Sequence, residues 1–244
     1  MRVGIEVGGT FTDLIAVDGA EVRVAKVPST PDAPDRGAMD ALRAAGIELG
    51  AVVDLVHGST VATNAVLERK GGRVCAIVTR GMRDLFVLQR HDRRAIYDLH
   101  YAKPEPIATR EDVLEVAGRL APDGSEVEPV GENLDAQVTA FLEGGGFDAV
   151  AICLLHSYAD PSHERRVAEA VAKAAPGLPV TCSCDVSREF REYERASTTA
   201  LAAYVQPVIA GYLRRLAETL AAGGFAGRFS IMQSNGGRMP AEAM

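Results

Sequence analysis

The chain has 244 residues, 47% of them hydrophobic and 24% charged, with a net charge of −7. That size and balance suit one large or two small globular domains with a sizeable core. The acidic excess argues against nucleic acid as a main partner, because a phosphate backbone calls for a basic face, and no run approaches the ~20 apolar residues of a membrane helix.

The opening Met1-Arg-Val-Gly-Ile-Glu-Val7 alternates as a strand does and lacks the basic and apolar regions of a signal peptide. Leu14–Val17 and the series Val22, Val24, Val27 follow behind Gly8-Gly9 and Asp18-Gly19. Together they predict a three-strand antiparallel meander over Val3–Val27. Thr30-Pro31 predicts a helix start, with Thr as N-cap and Pro in the first turn, running to about Ala45 before Gly46. Strand and helix then alternate: strand Val52–His57, helix Thr60–Arg69, strand Val74–Thr79.

Between about residues 89 and 131 the rhythm breaks at Lys103-Pro-Glu-Pro106 and Pro122-Asp-Gly124. This stretch reads as an insertion with its own hairpin, Val113–Arg119 against Glu126–Val130. A helix over Leu134–Leu142 follows, then the apolar strand Ala149–Leu155, of the type buried on both faces of a sheet. Helix Pro161–Ala174 and strand Pro179–Cys182 come next. From Glu192 to Leu220, the residues Leu201, Tyr204, Val205, Val208, Tyr212, Leu216 and Leu220 recur at three and four, one face of a long helix. Pro207 inside it removes a backbone donor and predicts a kink. Phe229–Met232 starts a further strand. Cys75 and Cys153 lie in apolar runs, Cys182 and Cys184 would share a strand face, and no second pair follows at zinc spacing. The four read as structural thiols of a reducing cytoplasm.

Candidate chemistry gathers at strand ends. In Glu6-Val-Gly-Gly-Thr-Phe-Thr-Asp13, Gly8 and Gly9 let a phosphate approach backbone N–H groups, and Thr10 and Thr12 add hydroxyl donors. Glu6 and Asp13 flank the turn with carboxylates suited to Mg²⁺. The same residues also fit a plain Gly-Gly hairpin. In His57-Gly-Ser-Thr-Val-Ala-Thr-Asn64 a strand gives way to a helix, which puts His57, Ser59 and Thr60 at the carboxyl edge of the sheet. A simple N-cap beside a surface His is the plainer alternative. Arg80 and Arg83 in Thr79–Asp84 suit a carboxylate substrate, or a solvated loop. His156 follows a buried strand and is placed to face a cleft, while Ser187–Arg195 reads as a charged surface entering the long helix.

Taken in order, Val7-Gly-Gly-Thr-Phe-Thr-Asp13, His57–Asn64, Thr79–Asp84, Tyr97-Asp-Leu99, Leu154-Leu-His-Ser-Tyr158, Arg191-Glu-Tyr-Glu-Arg195 and Met232-Gln-Ser-Asn-Gly-Gly237 resemble the hydantoinase A / 5-oxoprolinase / acetone carboxylase family over essentially the whole chain. The resemblance implies an α/β, ribonuclease H-like half-domain of an actin-like ATPase over residues 1–190, with 191–244 as a helical connector into a second domain. It implies ATP and Mg as cofactors and phosphorylation of an amide, lactam or ketone oxygen, followed by hydrolysis or carboxylation. On that basis Gly8, Gly9, Thr10, Phe11, Thr12 and Asp13 would bind the nucleotide, Glu6 and Asp13 the metal, and His57 and Asp13 would be catalytic. Ser59, Thr60, Asn64 and Arg80 would meet a cyclic amide or ketone. Glu6 departs from the family's usual Asp and carries its carboxylate one methylene further. The family's second Gly-Gly-Thr turn and adenosine-binding segment would lie downstream of Met244. The isolated chain is therefore expected to be inactive, and to need that half-domain, a hydantoinase B-type subunit and an oligomeric assembly. A sugar-kinase-like ATPase, or a non-catalytic interaction module of the same fold, is the alternative.

Overall fold

A computed structural model describes residues 1–30 and 32–241. The elements begin with β1 (Arg2–Val7), β2 (Phe11–Asp18), β3 (Glu21–Pro28), α1 (Pro34–Ala44), β4 (Asp54–Ser59) and α2 (Val61–Leu67). There follow β5 (Val74–Thr79), α3 (Leu85–Leu88), β6 (Val113–Val116), β7 (Arg119–Leu120), β8 (Glu126–Glu128), α4 (Leu134–Glu143) and β9 (Ala149–Cys153). The last are α5 (Ser162–Ala174), β10 (Val180–Cys182), α6 (Ser183–Val186), α7 (Glu192–Ala222), β11 (Arg228–Met232) and β12 (Arg238–Pro240). Together they form a mixed α/β chain of two units: Met1–Lys70 with the residues from Val208 onward, and Gly71–Pro207. Among the described residues no helix is long and apolar enough to cross a membrane.

The first unit is built on a six-stranded mixed sheet in the order β12-β11-β4-β1-β2-β3. The expected meander is there, with β1 antiparallel to β2 and β2 to β3, while β4 runs parallel to β1 and β11 parallel to β4. The alternation of β1 and β2 turns Val3, Ile5, Val7, Leu14 and Ala16 to one buried face. There they pack with Leu42 of α1 and with Tyr212, Leu216 and Leu220 of α7. Residues 208–241 thus belong to the first unit and add β11 and β12 to its sheet. Helix α1 starts at Pro34, with Ala33 as its N-cap. Thr30 Oγ1 instead donates to Ala33 O at 2.6 Å, and Pro31 lies outside the described residues. At the opposite end of β4 from its turn, Asp54 accepts from Arg228 at 3.1 Å and Arg238 at 2.6 Å. These guanidiniums hold its carboxyl down at about 2.

The second unit holds the parallel sheet β10-β9-β5-β6. Every residue of β5 and β9 is buried, as the unbroken apolar runs require. Strand β6 belongs to this sheet beside β5, so the expected hairpin shrinks to β7 and β8. Cys182 ends β10 while Cys184 sits in α6, not on a shared strand face. All four thiols are free and buried, and burial pushes Cys75 up to about 12 and Cys153 to about 11.

Within the stretch 187–195 expected as charged surface, Arg195 departs from that expectation, because its side chain is enclosed. Its Nε donates to Ser183 Oγ at 3.1 Å, and its terminal nitrogens donate to Leu154 O at 2.8 Å and Glu189 O at 2.7 Å. Ser183 Oγ in turn donates to the fully buried Glu164 at 2.6 Å. Glu164 also accepts the Leu154 and Cys184 N–H groups at 2.9 and 3.0 Å. Every side-chain nitrogen and oxygen of Glu164, Ser183 and Arg195 thus has a partner, which is the condition for burying them.

Candidate functional site

Strands β1 and β4 are parallel and in register, Val7 against Ser59, so both finish at one edge of the first sheet. There β1 turns back through Gly8–Thr10 into β2 while β4 passes into α2. The Gly8 N–H closes the first turn by donating to Phe11 O at 3.0 Å. At the second, Ser59 Oγ accepts the Val61 N–H at 3.1 Å, and Asn64 Nδ2 reaches Thr60 Oγ1 at 3.4 Å. The two turns open on one pocket of about 240 Å³, lined by Gly8, Gly9, Thr60 and Asn64 among others. A Cβ on Gly9 would stand 3.8 Å from Asn64 Nδ2, inside that opening and without clash. Two motifs singled out separately in the sequence therefore share a wall, at the strand ends where open α/β sheets place ligands.

The remaining expected residues divide. Thr10 is exposed on the turn. Phe11 is about half exposed, with Lys26 Nζ 4.8 Å from its ring centre. Thr12 is fully enclosed and lies 3.0 Å, hydroxyl to hydroxyl, from Ser29, which lines the pocket.

Glu6 and Asp13 are cross-strand partners on the face opposite the core. Asp13 is paired with Lys26 at 2.9 Å. The Glu6 carboxylate lies across Gly58, where any Cβ would collide with it. Partial burial, and next the Asp13 charge, raise its carboxyl above the usual range. Neither carboxylate lines the pocket. Among the described residues no three or more His, Cys, Asp or Glu side chains gather as a metal cluster.

His57 is the clearest correction. It registers with Ile5 and shares the buried face of the sheet, so its side chain points into the core and is fully enclosed. Its Nε2 lies 2.6 Å from Tyr212 Oη, and Phe229 packs 6.4 Å away, ring centre to ring centre. Burial lowers its pKa to about 4, which keeps the ring neutral.

Arg80 and Arg83 belong to the second unit and already face carboxylates of the chain. Arg80 pairs with Glu128 at 3.2 Å, and Arg83 Nε stands 3.6 Å from Glu115. The Gly81 and Arg83 N–H groups also donate to Glu115, at 2.7 and 3.2 Å. His156, in a left-handed conformation (φ 61°), lies 3.2 Å from the Tyr158 hydroxyl.

Not singled out as site residues in the sequence are Ser29, Thr30, Asp32, Glu68 and Lys70, which also line the pocket. Their signal was positional: the first three directly follow β3 and the last two directly follow α2.

The chain matches the hydantoinase/oxoprolinase N-terminal region over residues 2–175 and the hydantoinase/oxoprolinase model over residues 195–244. It is 34% identical to caprolactamase subunit alpha of Pseudomonas jessenii, across 100% of this chain and 36% of that protein. The crystal structure of ATP-dependent caprolactamase from Pseudomonas jessenii superposes with a TM-score of 0.87 at 33% identity, over 99% of this chain and 36% of that one. A nucleotide-free structure of acetone carboxylase, from work on ATP-dependent acetone carboxylation, gives 0.84 at 27% identity, over 99% and 37%. The chain spans about a third of the length of such curated relatives. It belongs to the hydantoinase/oxoprolinase family.

Proposed function

We propose that this chain supplies a phosphate-binding edge to an ATP-dependent enzyme that activates the oxygen of a cyclic amide or a ketone. The observation that carries the reading is the shared pocket: the glycine turn after β1 and the polar start of α2 line one opening. Similarity to a caprolactamase and an acetone carboxylase, both described as ATP-dependent, supports it. The antiparallel opening β1–β3, continued by parallel strands β4 and β11, supports a ribonuclease H-like, actin-like half-domain.

ATP fits the residues present. At Gly9 the missing Cβ leaves open a cradle that a side chain would fill. Thr60 and Asn64 offer a hydroxyl and an amide across from it. Bound there, ATP would supply the phosphoryl group that turns a poor electrophile into a good one. The chain's own part is to bind and orient: backbone of Gly8 and Gly9 against phosphate, the Asn64 amide at the wall. Mg²⁺ does not fit in the way expected, because Asp13 is held by Lys26 and neither Asp13 nor Glu6 lines the pocket. His57, enclosed beside Tyr212, is assigned to the fold and not to chemistry. The further half-domain and a B-type partner subunit are part of the proposal, supported by a relative that is itself named as a subunit.

Gly9→Val tests the reading, with melting measured beside ATP hydrolysis driven by lactams, hydantoins and ketones in the presence of those partners. The expected outcome is a wild-type melt with turnover reduced about a hundredfold or more, from blocked backbone approach to a charged acceptor. An early melt with unchanged turnover per folded molecule would make the hairpin only a turn.

A further inference from the structure

The pocket offers an anion its backbone and hydroxyl donors but little positive charge from side chains. Among its described lining residues Lys70 carries the one positive charge, against Asp32 and Glu68. Lys70 Nζ stands 2.7 Å from Glu68, but the two side chains are 72% and 54% exposed, and an exposed pair of this kind holds weakly. The main chain beneath is fixed, since the Lys70 N–H donates to Ala65 O at 2.9 Å behind Arg69 in a left-handed conformation. A firmly rooted backbone with a flexible four-carbon stem lets the ammonium change partners without disturbing the fold.

We infer that Lys70 is the exchangeable counter-charge of this pocket. It rests on Glu68 when no ligand is bound and moves to the terminal phosphate of a di- or triphosphate when one is. Glu68 then acts as a selectivity device, because an incoming anion must outcompete it for the ammonium. A multiply charged polyphosphate does so and a single phosphate does so poorly. The inference rests on the phosphate reading of the pocket, and it assigns the pair at residues 68 and 70 a role that the glycine turn does not need.

Pyrophosphate isolates the question from adenine recognition. Its binding is followed by ³¹P NMR through the millimolar range for wild type, Lys70→Ala, Lys70→Arg, Glu68→Gln and Gly9→Val, with inorganic phosphate as the comparison. Lys70→Ala is expected to weaken pyrophosphate about ten- to hundredfold, the loss of one charge-assisted contact. Lys70→Arg should stay within about threefold, since the charge is kept. Glu68→Gln should bind about two- to fivefold more tightly and narrow the preference for pyrophosphate over phosphate. All melts should match wild type, because both side chains are largely exposed. A wild type that binds while Lys70→Ala binds within about twofold of it overturns the inference and leaves the phosphate reading standing; so does a Glu68→Gln that binds more weakly. A wild type that shows no pyrophosphate binding removes the phosphate reading, and this inference with it.

Discussion

The two sheets treat polar groups in opposite ways. In the first unit, strand β2 alternates strictly, turning Phe11, Asp13, Ile15 and Val17 away from the core and Thr12, Leu14 and Ala16 into it. Such a sheet keeps one wet face and wet strand ends, so Gly8, Gly9 and Thr60 can stay available to a ligand. In the second unit, β5 and β9 are buried at every residue, and the polar groups around them are drawn inward. Glu164, Ser183 and Arg195 satisfy one another and the nearby backbone in the dry interior. A run of charges therefore means different things in the two settings: the largely exposed stretch Ser187–Arg195 ends in Arg195, the closing cation of a core network.

The sharpest break of that comparison is Arg195→Met. It would leave Glu164 buried with its bridged cation gone, and the expected loss is about 3–5 kcal/mol in chemical denaturation. A loss below ~1 kcal/mol would mean that packing alone closes the second unit.

The first unit should instead show its polar groups through pH. His57 is neutral in the fold with a pKa of about 4, against an ordinary value of 6.5. Between those values the unfolded chain binds the extra proton, so stability falls as pH falls from 6.5 to 4. The size of this effect is up to about 3 kcal/mol, and His57→Gln should flatten the profile in that window. Asp54 acts lower down. Its carboxyl is depressed from 3.8 to about 2, so its contribution is present above the unfolded value and is lost as pH drops through about 2. That loss is on the order of 2 kcal/mol, reduced by solvent at the exposed Arg228. Melting across this range that is identical for wild type and His57→Gln would contradict the buried neutral ring.

The smallest effect is expected on the wet face. Val24 of β3 is 72% exposed, and Val24→Thr should change stability by less than about 0.5 kcal/mol. A larger loss would show that this face is covered in solution.

Much of the architecture was legible because period-two alternation and unbroken apolar runs report burial directly. Strand β5 matches the expected Val74–Thr79, and β1 to β3 match the meander. What escaped depended on distant pairing. The placement of β6 beside β5, or of β11 beside β4, follows from partners far along the chain, which local pattern cannot supply. At the site, the glycine turn and Thr60–Asn64 were visible as motifs. His57 shares its parity with the buried Leu55, so register turns it into the core although its motif suggests a strand-end site. The helix face before Pro207 was also misread. There the fully buried residues include Ala196, Ala200 and Ala203, too small to stand out in an apolar periodicity.

The interruption of the first unit between Lys70 and Val208 has a consequence for how the protein is made. Asp54 and Arg228 are 174 positions apart, so a ribosome adding about 5–20 residues per second delivers β4 roughly 9–35 s before its neighbour β11. Throughout that interval one edge of β4 has no partner, and an unpaired strand edge invites pairing with other chains. The second unit is contiguous and emerges whole during the wait. Once folded, it turns a long floppy tether into a short one, easing the later closure. Nascent chains arrested before Phe229 should therefore protect β5 and β9 from proteolysis while leaving β1 and β4 open, and chaperone demand should peak there.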